Sequence, residues 1–127
     1  MIKMIFCVKR RQDMPADEFY DYWLNQHGPL VRSRADELNI RRYVQSHTVI
    51  AGLGGAVSDA RGMRQTEGYD GVAELWWDSV ELMQEATASA AGQDANHVLL
   101  EDERKFIDLE ASTIFFTEEH EVVSSGR

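Results

Sequence analysis

The chain has one cysteine, two prolines and no run of apolar residues near the roughly 20 needed to span a bilayer. A single cysteine excludes an internal disulfide and leaves no Cys-x-x-Cys pair for zinc or redox work. Cys7 lies in an alternating apolar segment, where a buried, inert thiol is expected. Basic residues are also in short supply: 13 Lys and Arg stand against 22 Asp and Glu, a formal charge of -9 that repels nucleic acid and anionic lipid at long range. The N-terminal MIKMIFCVKR has no small-residue cleavage site, so the expected location is the cytoplasm. These absences point to a small organic ligand as partner, with no nucleic acid and no membrane.

What is present suits one soluble domain: 127 residues, 43% hydrophobic and 28% charged. Residues 2–9 alternate so fully, with Ile2, Met4, Phe6 and Val8 against Ile5 and Cys7, that they predict a strand buried on both faces. Asp13, Met14-Pro15, Asp17 and Glu18 predict a helix start at about residue 14. Its inward stripe runs Phe19, Tyr22, Trp23 and His27. Gly28-Pro29 should then stop or kink it, because proline lacks the N–H and crowds the preceding turn. A second helical piece is expected from Pro29 to Asn39.

Residues 40–50 read as a strand that puts Tyr43, Gln45, His47 and Val49 on one face. Residues 51–68 carry five of the nine glycines and predict a long, irregular connection; its GLGG lacks the Lys-Ser/Thr or helix start of a phosphate cradle. The third strand, Tyr69 to Trp77, sends Trp76 and Trp77 to opposite faces, one to a pocket and the other to an interface or core. Asp78 and Glu81 suggest a capping box for a helix carrying Leu82, Met83, Ala86 and Ala90, interrupted by Gly92 and followed by a shorter segment with Val98, Leu99 and Phe106. Thr113 to Thr117 closes the series as a strand, leaving a polar tail over 119–127. The order is strand, helix, strand, strand, helix, strand, which predicts an α+β, ferredoxin-like βαββαβ domain over residues 1–118, with an antiparallel sheet and helices on one face. A bare apolar sheet face of several hundred Å² would be covered in a homodimer.

Phe19, Tyr22-Trp23, His27-Gly28-Pro29-Leu30, Tyr43-Val44-Gln45-Ser46-His47 and Asp70-Gly71-Val72-Ala73-Glu74-Leu75, in this order, closely resemble the EthD family over roughly residues 1–118. The resemblance implies a dimeric α/β barrel and a link to bacterial degradation of ethyl tert-butyl ether and related alkyl ethers, where the namesake accompanies a cytochrome monooxygenase system. It also implies an association with oxidoreductase activity. The wider superfamily includes lactone isomerases, polyketide cyclases, cofactor-free monooxygenases and haem-degrading enzymes. Lactone isomerases with the histidine-glycine-proline motif pair it with a cysteine beyond the second strand; this chain has none after Cys7, which counts against that chemistry.

The expected site is a pocket between the first helix and the helix-covered sheet face. There His27 acts as general base, with Tyr43 and His47 orienting substrate or stabilising an oxyanion, and Phe19, Trp23, Gln45 and Trp77 lining the ligand. The competing reading makes His27 a helix-end residue and His47 a strand hydrogen-bonding group. No metal is expected, since His27 and His47 lack acidic residues at a completing spacing, and no cofactor is expected. His97 and His120 are read as surface residues. The function expected is histidine-assisted proton transfer or cofactor-independent oxidation on a small organic molecule; the alternative is a non-catalytic accessory protein that holds such a molecule for an oxygenase.

Overall fold

The strand propensity of IKMIFCV is realised as β1 (Ile2–Val8), an inner strand with a neighbour on each side. A computed structural model describes residues 1–49, 51–64 and 68–126. The other elements are α1 (Ala16–Tyr22), a π-helical turn (Trp23–His27), α2 (Gly28–Arg34), β2 (Arg42–His47), α3 (Ala51–Ala60), β3 (Gly71–Trp77), α4 (Val80–Ala88), α5 (Ala90–Glu103) and β4 (Thr113–Thr117). The four strands form an antiparallel sheet in the order β2-β3-β1-β4, which is the ferredoxin-like arrangement. No helix among the described residues is long and apolar enough to cross a membrane.

Register assigns the two sheet faces. Tyr43, Leu75, Met4 and Phe116 lie side by side in one row and Gln45, Ala73, Phe6 and Ile114 in the next, all on the face that meets the helices. Phe19 and Trp23 of the first helical segment and Phe106 after α5 are buried against this face, each side chain contributing roughly 2 kcal/mol relative to exposure. The opposite face carries the row Val44, Glu74, Ile5, Phe115 and, beside it, Arg42, Trp76, Lys3, Thr117. It is less apolar than expected: Lys3 pairs with Glu74 at 2.8 Å, and Trp76 lies under both Lys3 and Arg42 while its indole N–H donates to Glu119 of the tail. Cys7, on this face, is partly buried, and burial raises its thiol pKa.

Several local expectations are corrected. The first helix begins at Ala16, and Gly28-Pro29 does not stop it: His27 and Gly28 keep right-handed helical angles, and the Gly28 N–H bonds back five residues to the Trp23 carbonyl. The widened turn accommodates a proline that a regular α-turn would reject. Residues 51–60 form a helix, because alanine, leucine and valine outweigh the glycines among them; its Leu53 and Val57 remain exposed. Ser79, not Asp78, caps α4 by accepting from the Leu82 N–H, while Asp78 pairs with Arg41. Gly92 lies within α5 and interrupts nothing: the turn at Ser89 brings the Ala86 carbonyl so near that a Cβ on residue 92 would lie 1.7 Å from its oxygen. The second strand ends at His47, and its expected end at Ile50 lies outside the described residues, as do residues 65–67 of the connection and Arg127 of the tail.

Candidate functional site

The π-turn is what delivers His27. Two successive four-residue steps along a regular α-helix would rotate a side chain by about 80° from its starting face. A wider turn restores the alignment, so that Phe19, Trp23 and His27 are all buried, the last at 4% exposure. The Trp23 carbonyl, which accepts from the Gly28 N–H, also accepts from the Gln45 side-chain amide at 2.8 Å, tying the turn to β2.

The inner end of His27 is fixed by a carboxylate. Its Nδ1 lies 2.7 Å from an oxygen of Asp102, 75 residues away on α5, and the other Asp102 oxygen accepts from the Tyr22 hydroxyl and lies 3.4 Å from the Lys105 ammonium. Burial raises the Asp102 pKa, but the Tyr22 and His27 hydrogen bonds outweigh it and hold the group below its ordinary value. Burial lowers the His27 pKa against the pull of Asp102, so the imidazole is neutral at pH 7. A neutral ring donating Nδ1–H to a carboxylate presents a basic Nε2 at its other end, and among the described residues that nitrogen has no hydrogen-bond partner.

His27 lines a small chamber of about 40 Å³ together with Trp23, Tyr43, Leu99 and Glu103. A larger cavity of about 350 Å³ shares Met4, Phe6, Leu75, Leu99 and Glu103 with it and extends beneath α4 and α5 to Trp77, Ile114 and Phe116. Ile114 and Phe116 are about half exposed, so the cavity opens at the β4 edge. Its wall is almost wholly apolar, and Glu103 is the one ionisable residue among the described residues that line it. Burial, reinforced by the negative charge of Asp102, pushes the Glu103 pKa up to about 7. Burial likewise pushes Tyr43 up to about 12, and Tyr22 also to about 12 with the help of its bond to Asp102. The Tyr43 oxygen accepts from Gln45 at 3.0 Å, which leaves its own hydrogen available to a ligand.

Of the residues singled out in the sequence, His27, Tyr43 and Trp23 meet at the small chamber, and Trp77 lines the large one, its indole N–H donating to the Leu38 carbonyl. Gln45 braces Tyr43 and the π-turn. Phe19 supports Trp23 from behind, with ring centroids 5.5 Å apart. His47 is not among the residues lining either chamber; its Nε2 bonds Gln45 at 2.8 Å and its ring stacks on Trp23 and Tyr20, at 4.6 and 5.0 Å. His97 and His120 are exposed, as expected. Among the described residues no group of three or more His, Cys, Asp or Glu is arranged to hold a metal ion.

Sequence reasoning missed Tyr22 as a polar partner, Asp102 and Glu103. The run Glu101 to Arg104 reads as a solvated charge cluster, yet Ala95, Leu99, Asp102 and Phe106 recur at three- and four-residue steps on the buried side. A carboxylate on that stripe was the available signal for a buried partner.

A family model described as the EthD domain matches residues 11–110. No curated protein matches the chain. Among solved structures, an ethyl tert-butyl ether d (EthD) family protein from Bacillus halodurans superposes with a TM-score of 0.63 at 20% identity, covering 94% of this chain and 99% of that one. A dimeric protein of unknown function and ferredoxin-like fold from Bacteroides fragilis gives 0.58 at 13% identity, covering 93% and 95%. A variant of a cofactor-independent oxygenase from Streptomyces nogalater gives 0.52 at 10% identity, covering 96% and 95%. At these identities the likeness is one of fold.

Proposed function

The chain belongs to the EthD family, and from that premise we propose that it is a cytoplasmic small-molecule enzyme in which His27 moves a proton on an apolar organic substrate. The observation that carries this reading is the His27–Asp102 pair, which leaves Nε2 basic and unpartnered beside Tyr43 and Glu103. Nε2 removes a proton from a carbon next to a carbonyl, or from a phenol; the electron pair released moves to the carbonyl or phenol oxygen. Asp102 stabilises the imidazolium so formed, and the protonated Glu103 or the Tyr43 hydroxyl donates a hydrogen bond to the oxyanion. An imidazole kept neutral by burial and a carboxyl raised to about 7 in one chamber suit proton exchange at pH 7. Return of the proton at another atom gives isomerisation or ring closure; addition of the anion to dioxygen gives a peroxide, which takes the proton back from His27 and loses water with the second hydrogen of that carbon to leave a carbonyl, dioxygen being the oxidant, and a cofactor-independent oxygenase from Streptomyces nogalater shares the fold. His47 serves as a positioning residue that holds Trp23 and Gln45.

The same reading makes the protein a homodimer, with the row Val44, Ile5 and Phe115 at the contact, in keeping with the dimeric Bacteroides protein. The test is incubation of wild type and His27→Gln in D2O with a panel of enolisable ketones and phenols, read by mass spectrometry for deuterium or product and by oxygen uptake. Loss of at least 100-fold in turnover with ligand retention unchanged is expected. Turnover preserved in His27→Gln would overturn the mechanism; a retained ligand with no turnover in the wild type would make the protein a holder for an oxygenase system.

A further inference from the structure

A third cavity, of about 350 Å³, lies where α2 faces the edge strand β2, outside the two chambers already described. Its lining includes Arg32, Arg41 and Arg42 and, among the described residues, no carboxylate, on a chain whose formal charge is -9. Arg41 is drawn to Asp78 at 3.3 Å, and Arg42 lies over the Trp76 ring, 4.6 Å from its centroid. Neither Arg32 nor Arg42 has an ion-pair partner among the described residues. The Arg42 guanidinium lies on the opposite sheet face, so Arg32 is the unpaired guanidinium on the groove side, and a guanidinium offers a fork of donors that fits a carboxylate or phosphate.

The rest of the groove is not polar. Leu24, Val31, Ala35 and Ile40 give it an apolar floor, while Tyr43 and Gln45 form its inner end. Val31 and Tyr43 also line the His27 chamber, so these two side chains are the wall between groove and chamber.

We propose that this groove binds the anionic end of a small amphipathic molecule, a carboxylate or phosphate carried on an apolar or aromatic body, with Arg32 as the anchor and the body lying on Leu24, Val31 and Ile40 against Tyr43. The inference deepens the functional reading above, because an anion held here brings the rest of the molecule up to the wall of the chamber that contains His27. It gives the substrate class a sign of charge that the apolar chambers alone do not.

The test uses 2-naphthoate as the probe and 2-naphthalenemethanol as its neutral counterpart, with binding followed by the intrinsic fluorescence of the naphthalene ring and by chemical shifts in the full-length protein. Naphthoate is expected to bind at least tenfold more tightly than the alcohol, to weaken as salt rises, to lose about tenfold with Arg32→Gln, and to keep part of its affinity with Arg32→Lys. Arg61→Gln, on the exposed segment after α3, removes the same charge elsewhere and should leave binding unchanged. Equal affinity for the two probes, or an equal loss with Arg61→Gln, would overturn the proposal. His27→Gln should still bind naphthoate; retained binding with absent turnover would then count against the catalytic reading alone, and turnover of neutral substrates without naphthoate binding against the groove alone.

Discussion

His27 and His47 both touch Trp23's surroundings, and burial lowers the proton affinity of both, yet their partners differ in kind. His27 gives its Nδ1–H to the Asp102 carboxylate, whereas His47 gives its Nε2–H to the neutral oxygen of Gln45 and is sandwiched between Tyr20 and Trp23. A carboxylate behind an imidazole stabilises the cation that forms when the far nitrogen takes a proton; an amide oxygen fixes the tautomer but supplies no compensating charge. The first arrangement prepares a base and the second a packing and orienting group. Two histidines on the same side of one sheet therefore differ in chemistry because of one atom's worth of partner.

The sharpest way to break that contrast is Asp102→Asn, which gives His27 the kind of neutral partner that His47 already has. The fold should survive, since the amide can still accept from Tyr22 or His27, but turnover should fall about 100-fold because the imidazolium loses its counter-charge. Kinetics with any substrate found for the wild type, alongside circular dichroism of the variant, make the check. Turnover within threefold of wild type would show that Asp102 only packs.

Glu103 sharpens the contrast from the acid side. Its pKa is raised by burial to about 7 from an ordinary 4.5, so the folded protein holds a proton that the unfolded chain has released, and the stability this provides is complete below about pH 4.5 and is lost as pH rises through 7. His27 contributes with the opposite sign: its folded pKa is lowered, so its contribution is complete above the unfolded value of 6.5 and is lost as pH falls through the folded one. Glu103→Gln removes only the first of these. Urea unfolding at pH 5 and pH 8 should show the variant gaining on wild type at the higher pH by on the order of 2 kcal/mol. A gap that stays constant with pH would mean that Glu103 ionises freely and is no acid at neutral pH.

The sequence and the structure part company at the same places. Strand alternation made the sheet legible, down to Trp76 and Trp77 on opposite faces, because a two-residue period survives any tertiary context that buries one side. The stripe of Phe19, Trp23 and His27 was legible for a similar reason. The π-turn was not: proline chemistry predicts a disturbance at residue 29, but the bonds that the Trp23 carbonyl accepts from the Gly28 N–H and from Gln45, 22 residues on, are tertiary details that no local pattern shows. Asp102 and Glu103 escaped because their partners are far away in the chain and because acidic residues near a helix end usually face water. Only the coincidence of Asp102 with the apolar stripe of α5 hinted otherwise. The helix over residues 51–60 was lost to its glycines, a case where composition pointed to a loop and the alanines prevailed.

The mildest perturbation tests the other half of the contrast. His47→Ala removes a ring that stacks on Trp23 and Tyr20 and a hydrogen bond to Gln45, but it strands no buried charge. Gln45 keeps its bonds to the Trp23 carbonyl and the Tyr43 hydroxyl, and Trp23 stays over Gly71, where a Cβ would lie 2.6 Å from its ring. The expected loss is about 1 kcal/mol in urea unfolding, from one neutral hydrogen bond and aromatic contact, with turnover within about threefold of wild type. His27→Ala, by comparison, leaves Asp102 buried with one donor fewer and should destabilise by roughly 3 kcal/mol. If the two alanine variants lost the same stability and the same activity, the carboxylate behind His27 would not be what separates them, and His47 would have to be counted among the groups that act on the substrate.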